Sequence, residues 1–211
     1  MSFDQRKSTD NWAEVGWDRE VWIPVPLSFQ GTKWPDAAEW ATDWAGERVM
    51  RAHGELTKKL MKKEVVPRAQ ALVRGRAEIA GNVAAHKIYF HCPDTTKTPV
   101  ATFIGLWKCQ GTREEALQFY GYYGTKSATI QPEAEWFKTE ALGTGIKAHW
   151  TGVTGPGQYW QADYAFRDDE FDTDVQVFMM AWDQQRFAEV VPDLDNLVRS
   201  IRCVPSSSKS N

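Results

Sequence analysis

Two residues with acid–base character, His149 and Asp163, flank a Thr154-Gly155-Pro156-Gly157 turn signal in a stretch that alternates with a period of two. A turn centred on Pro156 sets Ala148 against Tyr164 and Trp150 against Ala162. That register places His149 directly opposite Asp163 on neighbouring antiparallel strands. A carboxylate beside an imidazole raises its pKa and prepares it for proton transfer. The same pair on a solvated sheet is only a cross-strand ion pair contributing roughly 0.2–1 kcal/mol. No nucleophile or oxyanion donor accompanies it in sequence, so a reaction centre is incomplete. The expectation is a chain without catalytic residues, one that is not an enzyme.

His86, His91 and Cys92 suggest a metal site. On a strand, His86 and His91 differ in parity and point to opposite faces. His86 and Cys92 share a face but lie too far apart for one tetrahedral ion. No metal and no cofactor is expected. Gly143-Thr144-Gly145-Ile146-Lys147-Ala148 matches a dinucleotide fingerprint in spelling. A strand follows it where the fingerprint requires a helix. The cysteines, Cys92, Cys109 and Cys203, are too few and scattered for a disulfide framework and read as small buried apolar groups.

The elements that must position these residues follow from punctuation and period. Val21 to Phe29 is apolar and β-prone, but Pro24 and Pro26 confine it to an edge strand or an extended arm. Asp36 caps a helical stretch with Glu39 placed to reach back, and helix continues to about Val66, where Pro67 breaks or kinks it. A second helix runs from Pro67 to Ala80 and stops at Gly81-Asn82. From His86 the period becomes two, giving strands over His86–Cys92 and Pro99–Lys108. A short helix capped by Thr112 follows, reaching about Tyr123. Further strands lie near Ala134–Ala141, Ile146–Val153, Gln158–Arg167 and Asp174–Trp182. The closing helix, Gln185 to Arg202, aligns Phe187, Val190, Val191, Leu194, Leu197, Val198 and Ile201 on one face. The fold class is α+β: a central antiparallel sheet with helices on both faces and a long helical insert (residues 35–82) after the first strand. It is read as one domain over residues 1–204, with a frayed start and a Ser-rich tail at 205–211.

Hairpin pairing gives one apolar face that includes Ile146, Ala148, Trp150, Ala162, Tyr164 and Val177. The opposite face is mixed, carrying Tyr159, Phe178, Met180 and Trp182 beside His149, Gln161 and Asp163. A solvated face does not show such aromatics, so the insert, a partner or a second copy covers part of it.

Charge is spread unevenly over 211 residues of net charge −3. Arg48 to Arg76 holds nine Lys/Arg against two Glu, whereas Glu133 to Asp195 holds thirteen acids against four bases. Either the two ends of the fold pair with each other, or the basic run meets a partner. Lys58, Lys59, Lys62 and Lys63 form its densest patch. The modest apolar residues opposite them argue against a membrane, and the lack of aromatics from Gln70 to Ile88 argues against nucleic acid. A solvated face or a protein contact is the expected role, an acidic partner fitting the charge, with a homo-oligomer as a further possibility. With no apolar leader and no run of 18 apolar residues, a cytoplasmic setting is expected. The competing reading is a small-molecule binder or enzyme with an aromatic pocket between sheet and helices, lined by Trp107, Tyr120, Tyr122, Tyr123 and Trp160.

Ile23-Pro24-Val25-Pro26, the run Gln158-Tyr159-Trp160-Gln161 to Phe166, and the closing segment from Phe187 through Ser200-Ile201-Arg202 to Val204 resemble the PsbP-like superfamily, which includes LpqN-type actinobacterial proteins. The resemblance covers about two-thirds of the chain. It implies a central antiparallel sheet between helices and a role in binding proteins or docking onto assemblies, with no catalytic set to carry over. The insert from Pro35 to Gly81 and the missing lipoprotein signal depart from that pattern.

Overall fold

Prolines decide where the sheet stops. In an antiparallel edge strand, alternate residues turn both N–H and C=O away from the neighbouring strand. In β2 (Trp22–Val25) those residues are Trp22 and Pro24. Pro24 has no N–H to leave unpaired, and the Trp22 N–H donates to the Asp18 carbonyl at 2.8 Å. The outward carbonyls are met by side chains of the helical insert. Arg48 donates to the carbonyls of Glu20 (2.5 Å) and Trp22 (3.2 Å), Trp40 Nε1 to that of Pro24 (3.1 Å), and Arg76 Nε to that of Pro26 (2.8 Å). An edge open to strand addition is thereby closed by the chain's own donors.

The computed structural model describes residues 9–79, 85–93, 97–122, 128–130 and 132–205. β1 (Trp12–Val15) and β2 are followed by α1 (Ala37–His53) and by one further helix. That second helix starts as α2 (Lys58–Leu60), passes through a π-turn at Met61–Val65 and continues as α3 (Val66–Ile79). β3 (Lys87–His91), β4 (Val100–Lys108) and α4 (Arg113–Gly121) come next. β5 (Glu133–Thr139), β6 (Gly143–Thr154), β7 (Gly157–Asp168), β8 (Thr173–Ala181), α5 (Gln184–Arg199) and β9 (Ile201–Val204) complete the order. Seven strands form one antiparallel sheet, β2-β3-β4-β8-β7-β6-β5, and β1 pairs with β9 in a separate ribbon. The fold is α+β, with helices on both faces of the sheet, as the sequence predicts.

One face carries Ile104, Ala162, Tyr164, Val177 and Met179 under the α5 residues Val190, Leu194, Leu197 and Val198. The other is covered twice: α1 and α3 lie over Ile23, Ile88, Phe90 and Phe103, and α4 lies over Trp107 and Ala165. Of the apolar residues on the mixed face, Phe178 is covered by helices of the same chain, while Trp182 stays exposed. Thr112 and Glu115 make the reciprocal capping box that starts α4.

Four expectations are corrected. The first insert helix ends at Gly54, whose φ of 75° suits a glycine C-cap, and Pro67 lies inside the next helix instead of ending the first. The π-turn just before Pro67, closed by the Val66 N–H on the Met61 carbonyl, widens the helix where proline has no donor and would clash. The closing helix ends at Arg199. Ile201 stays buried, but on a strand paired with β1, an element the sequence reading missed. The insert accordingly follows the first strand of the main sheet, which is the second strand of the chain. Finally, the β6–β7 turn is the two residues Gly155-Pro156, so Ala148 pairs with Asp163, His149 with Ala162 and Trp150 with Gln161. A one-residue slip reverses every side chain. Ile146, Ala148 and Trp150 thus lie on the α4 face, while the β7–β8 register, with Tyr164 against Val177, is as expected.

Candidate docking surface

The insert presents its chemistry on the outer side of α1 and α3. A shallow apolar groove of about 380 Å³ runs between them, with Ala38 and Thr42 on one wall and Val66, Ala69 and Val73 on the other. Val66 is 45% exposed, a large apolar group on open surface. The stripe arises because residues 66, 69 and 73 recur at helical spacing. Lys62 and Lys63 lie one turn before Val66, with Lys58 and Lys59 a turn earlier. Thr57 starts this helix by accepting from the Leu60 N–H at 3.2 Å.

All four lysines are exposed, and among the described residues none of them has a carboxylate within salt-bridge reach. Several neighbouring cations are instead paired inside the fold. Arg51 pairs with Glu47 at 3.0 Å, Arg68 with Glu64 at 2.7 Å and Lys33 with Asp43 at 2.7 Å. Part of the acidic run of the second half is committed to other bases. Asp174 takes Arg167 at 2.6 Å, Asp195 takes Lys147 at 3.0 Å, Glu189 takes Lys97 at 2.8 Å, and Asp169 takes Arg113 at 3.1 Å. The two ends of the fold therefore do not neutralise each other.

The other expected contact residues are placed unevenly. Tyr159 is buried between Trp150 and Trp182, with ring centroids 5.6 and 5.5 Å away. Phe178 stacks on Phe103 at 4.7 Å beneath the insert. Met180 is half-buried. Trp182 is 51% exposed and shares a shallow depression with Trp160 and Pro156. Tyr159 and Phe178 are enclosed within the fold, and the depression at Trp182 includes none of the four lysines.

His149 and Asp163 do not meet. His149 lies on the α5 face, edge-on to Phe187 at 5.4 Å, and its Nε2 is buried with no hydrogen-bond partner. Burial, reinforced by Lys147, pushes its pKa below the usual value. Asp163 is fully buried on the α4 face. Trp150 Nε1 donates to its Oδ2 at 2.5 Å, and Gln161 Nε2 approaches both oxygens at 2.9 Å. Burial pushes its pKa up to about 8, against the lowering pull of those two donors. A carboxyl so enclosed is a structural acid; it has no open side from which to exchange protons with a substrate.

The histidines of the metal question are likewise occupied. Arg186 Nη2 donates to His91 Nδ1 at 2.9 Å, and a guanidinium has only donors. His91 is thereby held as the Nε2–H tautomer, which donates to Asp193 Oδ2 at 2.9 Å. Burial lowers its pKa, opposed by Asp193. His86 packs edge-on against Trp12 at 4.2 Å, and Cys92 lines a cavity beside α3. Gly145 of the glycine motif sits within β6, where a Cβ would lie 2.2 Å from the Ala165 carbonyl oxygen. The aromatics of the alternative pocket do not converge. Trp107 and Tyr120 are core under α4, Trp160 lies on the other face, Tyr122 ends α4, and Tyr123 lies outside the described residues.

Sequence reasoning missed the apolar groove and the cavity beside α3, because both depend on how α1 and α3 pack. The only local signal was the spacing of Val66, Ala69 and Val73.

No family model matches the chain, and no curated protein matches it. Among solved structures the chain is similar to the Ran-binding protein Mog1p of Saccharomyces cerevisiae, with 14% identity, a TM-score of 0.42, and coverage of 63% of this chain and 86% of that one. A likeness at this level carries no argument about function. No helix among the described residues is long and apolar enough to cross a membrane.

Proposed function

We propose that this chain is a non-catalytic protein-binding module that docks through its helical insert onto an acidic, amphipathic segment of a partner. The observation that carries the reading is the exposed lysine patch, which has no carboxylate within salt-bridge reach among the described residues. A cluster of like charges repels itself, and a partner's carboxylates relieve that repulsion and speed encounter. The α1–α3 groove supports an apolar anchor beside the charges, the arrangement used when a helix lies in a groove. Rigidity supports it too, because Arg48, Trp40 and Arg76 fasten the insert to the sheet edge.

The test is charge reversal at Lys58, Lys59, Lys62 and Lys63 together. The variant should keep its circular dichroism and melting temperature but lose association with the partner that co-purifies with the wild-type chain in low salt. Raising salt should weaken the wild-type complex in the same way. Undiminished association of the folded variant would remove the insert as the interface.

A further inference from the structure

A second feature of the insert lies on its inner side, at the seam with the sheet. A cavity of about 430 Å³ opens there between α3, α1 and strands β2 and β3. Ile23, Ala45, Leu72 and Phe90 give it an apolar wall, and all four are buried. Its polar side carries Arg48 and Arg74 with the acid Glu78, and also Arg68 and Lys97, which are already paired with Glu64 and Glu189.

Arg48 is the unusual member. It is 4% exposed, and no carboxylate lies within salt-bridge distance of it among the described residues. Its two terminal nitrogens donate to the neutral carbonyls of Glu20 and Trp22, and its Nε–H, equally buried, has no partner. Its neighbour Glu47 is taken by Arg19 at 2.6 Å and Arg51 at 3.0 Å. Buried charges are ordinarily paired, because an unpaired one forfeits its hydration without return. A donor left over in a buried guanidinium that lines an apolar cavity matches the few convergent polar groups that orient a ligand in an apolar pocket.

We propose that this cavity binds an amphipathic anion, with its charged head on Arg48 and its apolar body against Leu72 and Phe90. At about 30 Å³ per water-sized group, the volume accommodates roughly a dozen non-hydrogen atoms, which corresponds to a medium-chain acyl anion. The head is a carboxylate or a phosphate, since both accept from a guanidinium. The site shares only Arg74 with the outer groove and none of the four lysines, so it stands or falls independently of the docking role.

Calorimetric titration of the full chain with decanoate, decyl phosphate, decanol and acetate tests this, each kept below its aggregation limit. Either long-chain anion should bind with one-to-one stoichiometry, and the tighter of the two identifies the head group. Decanol and acetate, which lack the charge and the apolar body respectively, should bind at least about tenfold more weakly. Ala71→Phe, on the α3 wall of the cavity, should abolish binding by filling it. Arg48→Met should weaken binding about tenfold or more. Because Arg48 also closes the β2 edge, Ala71→Phe keeps the test decisive if Arg48→Met fails to fold. The bound anion should also slow alkylation of Cys92, which lines the same cavity, and leave Cys109 unaffected. Failure of both anions to bind, binding of decanol as tight as that of decanoate, or full binding by folded Ala71→Phe would each overturn the assignment.

Discussion

Replacing Asp163 with Asn isolates the energetic consequence of the enclosed carboxyl. In the unfolded chain an Asp loses its proton near pH 3.9, whereas in the fold burial holds it until about 8. Between those values the folded protein binds one more proton than the unfolded chain. This group therefore makes stability fall as pH rises, and its effect levels off above the folded pKa. The slope is about 1.4 kcal/mol per pH unit for one full proton, so from pH 5 to pH 7 the loss is on the order of 1–3 kcal/mol. His91 and His149 act in the opposite sense. Their pKa values are lowered in the fold, so as pH rises toward about 6.5 the unfolded chain gives up protons that the fold had already released, and stability rises. Both histidines remain in the variant, so their effects cancel in the difference. Urea unfolding midpoints of wild type and Asp163→Asn at pH 5, 6, 7 and 8 provide the readout. The Asn amide offers one acceptor oxygen to Trp150 and Gln161 instead of two, so a constant offset is expected. The pH dependence carries the test. The difference should move in the variant's favour by on the order of 1–3 kcal/mol between pH 5 and pH 7, and parallel curves would refute a protonated Asp163.

Arg167→Met should cost about 3–5 kcal/mol, because it leaves Asp174, which is fully buried, without its bidentate partner; adding Asp174→Leu should recover part of that loss in chemical denaturation. Gly145→Ala should destabilise by roughly 1–3 kcal/mol or more, since its methyl would press on the Ala165 carbonyl and the Phe166 ring. Asp195→Ala should lower the melting temperature markedly, because Lys147 and the Tyr164 hydroxyl, both buried, lose their shared acceptor. By contrast, reversing Lys58, Lys59, Lys62 and Lys63 should change stability by less than about 1 kcal/mol, since none takes part in an ion pair among the described residues.

The elements were legible wherever a local signal coincided with the tertiary demand. Asp36 accepts from Ala38 and Glu39 N–H groups as a cap should, and the α5 stripe is the sheet's cover because no other arrangement buries four branched residues on one side. The β6–β7 register was misread for a physical reason. β6 is covered on both faces, so apolar residues occur at both parities and alternation does not select one pairing over the other. The structure settles on the pairing that brings the Trp150 indole N–H to the Asp163 carboxyl, a long-range polar match that periodicity does not encode. β1 and β9 were missed because each is four residues long and gains its partner from the far end of the chain. Ile201 also continues the helical spacing of Leu194, Leu197 and Val198, so the stop at Ser200 went unseen. Of the expected contact residues, the lysines are exposed by their own chemistry, whereas Phe178 looked like a surface aromatic only while the covering helices were unplaced, and Tyr159 only while its enclosure by Trp150 and Trp182 was unseen.

The docking claim is tested most directly by a photo-crosslinking amino acid placed at Val66, in the α1–α3 groove, and in a separate protein at Trp136, which is 72% exposed on the outer strand β5. In the native source, irradiation should join a single acidic protein to the Val66 probe, and salt or reversal of the four lysines should erase that adduct. The same protein captured equally from Trp136, or captured from Val66 regardless of the lysines, would contradict the account.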